Sequence, residues 1–210
     1  MLKKDHQLIM PFVKEPWKKF TFGQIKKLSK KTSESYVYDG LNNFVKEEIL
    51  KKERVGNIFL YSLNLRKLKT QVFAGFVAEY LAWKTKHIHL KDLEIISAKI
   101  PTAFYTFLIT GSYARNQQTE KSDIDAVIIV DDCVETNKIY ATLRLTCELN
   151  IPPVHLYVFK KSEFKEMLIN NEPNYGKEIT KNNIILCGGR EYYEIMNEAT
   201  QNGFNEEKLH

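Results

Sequence analysis

The sequence predicts a mixed α/β (α+β) chain in which a basic, helical N-terminal part is joined by a long helix to an acidic part that carries a mixed sheet. Three observations predict this. Residues 1–100 hold 20 Lys and Arg against 10 Asp and Glu, a net of +10, whereas residues 101–210 hold 11 against 16, a net of −5. Apolar residues in the first half recur every three or four positions, the period of a helix face. In the second half, short apolar runs at 104–109, 126–130 and 154–159, rich in β-branched and aromatic residues, read as strands separated by polar connections.

Taken in order, Thr21 is placed to cap a helix reaching Lys30, with Phe22, Ile25 and Leu28 on one side. Residues 31–34 supply a polar turn. A second helix over about residues 35–48 repeats apolar groups at Val37, Leu41, Phe44, Val45 and Ile49, and its other side shows Ser35, Tyr36, Asn42, Asn43 and Lys46. Lys51, Lys52, Glu53 and Arg54 then run into a Gly56-Asn57 turn and the β-prone residues 58–63, which together read as a basic hairpin. Helix, turn, helix and basic hairpin resemble a winged helix-turn-helix covering roughly residues 5–65, so the first domain is set at residues 1–65. The resemblance implies double-stranded DNA as a partner, with the second helix in the major groove and the wing on the backbone. Its contact candidates are Ser33, Ser35, Tyr36, Asn42, Asn43, Lys46, Lys51, Lys52 and Arg54. A basic half also suits a polyanion on electrostatic grounds, because neutralised phosphates release counterions. Winged domains serve as protein-interaction or dimerisation modules too, and polar residues on a helix are often only its wet side.

Residues 66–100 form the connecting segment. Leu65, Leu68, Val72, Phe76, Tyr80 and Trp83 keep the spacing of one helical stripe, expected to be buried on one of the domains or on a second copy of the chain, which makes a homodimer one of the expected partners. His87 and His89, two apart in a Lys-rich exit, read as surface residues and not as metal ligands.

The chemistry concentrates at residues 104–132. The strand over 104–109 stops at Thr110-Gly111-Ser112, and Asp123 and Asp125 stand at the start of the next apolar run. Side chains two apart on a strand point the same way, so the two carboxylates project together. Such a pair repels unless a cation lies between them, and Mg2+ is held through one or two carboxylates plus substrate phosphates. Gly111 keeps no Cβ between a phosphate and the backbone, Ser112 adds a hydroxyl donor, residues 113–115 can open a helix whose N–H groups favour an anion, and Arg115 can pair with phosphate oxygens. The set fits a nucleoside triphosphate bridged to the carboxylates by metal.

Gly111-Ser112, Ala114-Arg115 and Ser122-Asp123-Ile124-Asp125 resemble the G-S-x-A-R … S-D-x-D signature of the DNA polymerase β-like nucleotidyltransferases, in particular their minimal domains. The resemblance implies a nucleotidyltransferase-like mixed-sheet domain over residues 101–210 that transfers NMP, AMP foremost, from an NTP such as ATP to a hydroxyl on a protein, RNA or small molecule. It implies Mg2+ or Mn2+ on Asp123 and Asp125, and nucleotide contacts from Gly111, Ser112 and Arg115. Some minimal members are antitoxins that modify a ribonuclease toxin, so a protein acceptor of that kind is also implied. Family catalysts usually carry a third carboxylate on a following strand. Here that strand is 154–159, introduced by Pro152-Pro153, and the corresponding position holds His155. Imidazole is a poor Mg2+ ligand but a serviceable general base. The sequence therefore admits two readings: a transferase in which His155 assists proton removal, and a catalytically degenerate domain that binds nucleotide or a partner behind a DNA-binding transcriptional regulator. Asp131, Asp132, Glu148 and Glu163 do not fall on the right pleat.

Further on, Ser162 is an N-cap candidate for a helix containing Phe164, Met167 and Leu168. Ile179 and residues 184–186 add core, Gly188-Gly189 is a break, residues 191–199 form a last helix, and residues 202–210 a polar tail. Charges interrupt the first thirty residues, so neither a signal peptide nor a membrane span is expected and a cytoplasmic location is. Cys133, Cys147 and Cys187 are odd in number and lack metal-site spacing, which suits free thiols in a reducing compartment.

Overall fold

Local capping signals set the N-terminal third of the computed structural model, which describes residues 6–209. Helix α1 (His6–Lys14) precedes a two-residue strand, β1 (Phe20–Thr21), and helix α2 (Phe22–Leu28). Thr21 Oγ1 accepts from the Gln24 amide while Gln24 Oε1 accepts from the Thr21 amide, a reciprocal box that fixes where α2 begins. Helix α3 (Glu34–Lys46) starts likewise, with Ser33 Oγ accepting from the Tyr36 amide. Strands β2 (Leu50–Val55) and β3 (Ile58–Leu63) make the expected basic hairpin, and β1 adds to the far edge of β3, so the antiparallel order is β1-β3-β2. α1 and β1 escaped sequence reading: Pro11 sits inside the one, against helix propensity, and the other is too short to show a period. The expected start of this unit at residue 1 or 5, and the last residue of the expected tail, lie outside the described residues.

Helices α4 (Leu68–Ala82) and α5 (Leu90–Ser97) lead to a second sheet. Its strands are β4 (Tyr105–Thr110), β5 (Ile124–Val130), β6 (Val154–Lys160) and β7 (Ile184–Cys187), in the order β6-β5-β4-β7. β5 and β6 are parallel and the other pairs antiparallel. A parallel pair needs a crossover, supplied by α7 (Thr136–Glu148), whereas β4 returns to β5 through the short α6 (Gly111–Ala114) and a polar loop. Helices α8 (Lys161–Ile169) and α9 (Tyr175–Lys181) join β6 to β7, and α10 (Gly189–Gln201) follows. α8 begins one residue before the expected cap. Glu163 accepts from the Lys160 amide at 2.8 Å, and Ser162 instead donates its own amide to Asp132 Oδ1 at 2.9 Å.

Strand alternation sorts the second core. Phe107, Ile109, Ala126, Ile128 and Val130 face α5 and α7, packing on Leu93, Ile139 and Leu143. Leu108, Val127, Ile129 and Ile185 face the other way, into a cluster that runs without a break through α8, α9 and α10 to Leu8, Phe12, Leu41 and Tyr61 of the N-terminal part. Tyr193 of α10 donates to the Val13 carbonyl at 2.7 Å across this junction. The two halves thus share one apolar interior.

Of the predicted α4 stripe, Leu65 is buried, but Leu68, Val72, Phe76 and Trp83 are 60, 50, 53 and 41% exposed, so the rest of the chain covers the stripe only in part, with Trp83 Nε1 donating to the Leu186 carbonyl at 2.8 Å. The side of α4 that packs inward carries Thr70, Gln71, Ala74, Gly75 and Val77. A Cβ on Gly75 would overlap the backbone at Gly189 and Arg190, so α4 meets the start of α10 backbone to backbone. Small residues permit that approach, and a periodicity of large apolar residues does not report it.

Candidate active site

The strand pairing brings the two ends of the motif together. Thr110 lies opposite Asp125 in the β4–β5 ladder, and the chain leaves β4 at Gly111 with φ of 67°. A Cβ on Gly111 would overlap Asp125 Oδ2, so the carboxylate faces the Gly-Ser turn and only glycine leaves room for it. Asp123 stands one residue before β5, exposed. Burial pushes the Asp125 carboxyl above the usual carboxylate range; the charges of His155 and Arg115 oppose this, and that of Asp123 adds to it. Asp125 therefore gives up its proton more readily once a cation is close.

The parallel β5–β6 register sets His155 directly beside Asp125, with Nδ1 4.0 Å from Oδ1 and the imidazole 71% exposed. Among the described residues no group of three or more His, Cys, Asp or Glu converges as a metal site. Mg2+ bound with a nucleotide does not require one, because it keeps waters and uses one or two carboxylates plus phosphates. Two carboxylates beside a side-chain-free turn, one of them with a raised pKa, suit that demand. Three other acids of the region are engaged elsewhere: Asp132 and Glu163 cap α8, and Glu148 pairs with Arg144.

The turn after Gly111 is shorter than expected. α6 is four residues long, Arg115 closes it, and the Gln117 amide returns to the Ser112 carbonyl at 2.9 Å past a left-handed Asn116. Ser112 is partly exposed in this turn. Arg115 is exposed and its Nε donates to Gln117 Oε1 at 3.3 Å. Ser122 holds the loop, its Oγ accepting from the Thr119 amide at 2.9 Å. His89 is exposed as expected, 3.8 Å from Asp92. His87 is not simply a surface residue: it is partly buried, with Nε2 3.0 Å from the Tyr113 carbonyl, and so braces α6.

Two aromatic residues beside the carboxylate escaped sequence reading. Tyr157 sits two residues along β6 from His155, with ring centres 5.9 Å apart, and Tyr175 of α9 stacks on Tyr157 at 4.6 Å. Burial, with the neighbouring Tyr157 and Asp125, pushes the Tyr175 hydroxyl up. The alternation His155, Tyr157, Phe159 was readable as one pleat, but Tyr175 arrives on a helix that carried no recognised signal.

The N-terminal candidates divide by task. Ser35, Asn43, Lys46, Lys51 and Arg54 are exposed, and Asn42 and Lys52 partly so. Ser33 is spent as the cap of α3, Tyr36 packs on the core under the Lys31 ammonium, and Arg54 Nε donates to the Gly56 carbonyl at 3.1 Å in the hairpin turn. Lys52 Nζ lies 4.2 Å from the ring centre of Phe59.

With this geometry in place, comparison with known families is specific: residues 93–187 match the model of the nucleotidyltransferase domain. The matched span runs from α5 through β7 and contains Gly111, Ser112, Asp123, Asp125 and His155. Residues 93–187 are thus similar to nucleotidyltransferase domains. Neither curated proteins nor solved structures give a significant match. No helix among the described residues is long and apolar enough to cross a membrane.

Proposed function

We propose that the protein transfers a nucleoside monophosphate, AMP foremost, from a triphosphate to a hydroxyl acceptor, and that its N-terminal part is a winged helix that binds double-stranded DNA. The observation that carries the transfer reading is the Asp125 carboxylate facing a Gly111 turn that has no room for a side chain. Asp123 and Asp125 would hold a divalent ion, Mg2+ or Mn2+, which neutralises triphosphate charge. Gly111 and Ser112 cradle the phosphates through backbone N–H and hydroxyl, and Arg115 supports the anionic end. The acceptor oxygen attacks the α-phosphorus, the bond to pyrophosphate breaks, and the acceptor proton passes to His155. Positioning and charge neutralisation supply most of the acceleration, as is general for phosphoryl-type transfer. Acceptors of this reading include a protein such as a toxin, an RNA or a small molecule.

The DNA-binding part of the reading is supported by the order α1-β1-α2-α3-β2-β3 and the β1-β3-β2 sheet, with exposed Lys and Arg along the hairpin. A second reading rests on His155: where a third carboxylate would stand there is an imidazole 4.0 Å from Asp125, which suits a degenerate domain that binds nucleotide for a transcriptional regulator or an antitoxin-like protein. ATP labelled at the α-phosphate, incubated with the protein, Mg2+ or Mn2+ and cell extract, separates the two. Label transfer that disappears in Asp123→Asn supports the enzyme. Salt-sensitive DNA binding with no turnover under either metal supports the regulator.

A further inference from the structure

Two aromatic side chains where α3 meets the hairpin serve neither the carboxylate site nor the contacts assigned to duplex DNA. We propose that Tyr38 and Phe59 are a stacking site for unpaired bases of a single-stranded nucleic acid, with Lys52 between them as the phosphate contact. The inference does not rest on duplex binding, because Tyr38 and Phe59 are outside the residues given that task.

Strand alternation explains how the rings reach the surface. Leu63, Tyr61 and Phe59 share one face of β3, the face turned toward α3. Leu63 and Tyr61 are buried, whereas Phe59, nearest the hairpin turn, is 46% exposed. Tyr38 of α3, next to the buried Val37, is 53% exposed. Lys52 lies opposite Tyr61 in the ladder and sets its Nζ 4.2 Å from the Phe59 ring centre, 5.7 Å from that of Tyr61 and 6.0 Å from that of Tyr38. Rings from a helix and a strand thus converge on one ammonium. Among the described residues no carboxylate pairs with it, and the adjacent Glu53 is taken by Lys19 at 2.6 Å.

Half-exposed rings around an ammonium without an acid partner supply both parts of single-strand recognition, a stacking surface and a phosphate contact. A base offers its face only when it is unstacked, so these rings match unpaired bases and not a duplex, whose bases cover one another. An ammonium over an exposed ring is weakly held. A base stacked on the same ring contributes more, and the displaced ammonium then reaches a backbone phosphate. The surrounding charge has the matching sign: Lys46, Lys51 and Arg54 are exposed along α3 and the hairpin, against Asp39 and the already paired Glu53. Stacking does not read the sugar, so single-stranded DNA and RNA share this chemistry.

Fluorescence anisotropy on the full chain, with labelled oligothymidylate and oligouridylate of about 12 nucleotides beside a duplex of equal length, tests the site. At equal salt at least one single strand should bind more tightly than the duplex, and the tighter of the two identifies the sugar. Phe59→Ala and Tyr38→Ala should each weaken single-strand binding by about tenfold, with duplex binding and the circular dichroism spectrum unaltered. Phe59→Trp keeps a stacking face and should retain the binding, its indole fluorescence falling when the strand is added. Lys52→Gln should reduce the log–log salt slope by about 0.7, the share of one phosphate on a single strand. A duplex that binds more tightly than both strands, alanine variants that bind single strands as well as wild type does, or Phe59→Trp behaving like Phe59→Ala overturns the proposal. Single-strand binding that depends on both rings in a chain that ignores duplex upholds it and removes the duplex reading alone.

Discussion

The basic hairpin region and the carboxylate site are built on opposite principles. Between α2 and β3 almost every structural decision is local: a cap at Thr21, a cap at Ser33, and a two-residue turn at Gly56 joining strands paired in simple register. At the carboxylate site, Gly111 and Asp125 are fourteen positions apart and Asp125 and His155 thirty apart, yet ladder pairing sets them side by side. A locally determined surface tolerates single changes with small, additive losses. A convergent site loses its function when one member moves, because its groups act as a unit.

The largest effect expected on this comparison is at Asp125. Asp125→Asn should lower nucleotide transfer by about 10²-fold or more, the scale of losing one preorganised electrostatic group, while raising the melting temperature. The sign follows from its pKa, which lies above the unfolded value. Its favourable contribution to stability is full below the unfolded pKa and is lost as pH rises through the folded one, so at neutral pH the charged carboxylate is a burden that Asn removes. A melting temperature that falls in Asp125→Asn would contradict this assignment. Gly111→Ala comes next. The added Cβ meets the Asp125 carboxylate and the backbone has φ of 67°, so denaturation should show a loss of about 1–3 kcal/mol together with loss of transfer. Were the variant as stable and active as wild type, the close approach of turn and carboxylate would be refuted.

A subtler prediction concerns acid. Mn2+ binding, followed by paramagnetic broadening of the resonances around Asp125, should weaken as pH falls through a midpoint above that of an ordinary carboxylate. Arg115→Gln removes a charge that holds this pKa down, and should move the midpoint to higher pH; an unmoved midpoint would separate Arg115 from the site. The locally built half should respond more gently. Lys51→Ala and Lys46→Ala should each lower the salt dependence of DNA binding by about one counterion without altering transfer to a small acceptor. Thr21→Ala, which deletes half of a capping box, should cost about 1 kcal/mol in chemical denaturation and leave the carboxylate site unchanged.

Legibility followed the same division. The cap at Thr21, the hairpin turn and the three strands at 104–109, 126–130 and 154–159 were readable because each depends on neighbours within a few residues. That His155 stands beside Asp125 was suggested only by the family resemblance, and the parallel register that aligns them belongs to the structure. Which side of α4 the rest of the chain covers was not readable, because period alone cannot choose between two apolar sides, and the contact between Gly75 and Gly189 settled it. Helix α7 has an ordinary amphipathic face, Ile139, Leu143 and Cys147, that was passed over among polar residues. Tyr175 and His87 reach the site from segments with no motif at all.

By itself the sequence determined the residue types of the Gly-Ser turn and carboxylate pair, the opposite charges of the two halves, and the cap that starts α2. Those are properties of short stretches, carried by stereochemistry and charge that do not depend on what packs against them. Only the tertiary structure decided that Asp125 faces Gly111, that Tyr157 and Tyr175 gather beside His155, and that Val72 and Phe76 of α4 stay half exposed while Ala74 and Gly75 go in. Each of these is a choice between faces, and a face is chosen by the close packing of distant segments into one apolar interior, a collective quantity that no local window contains.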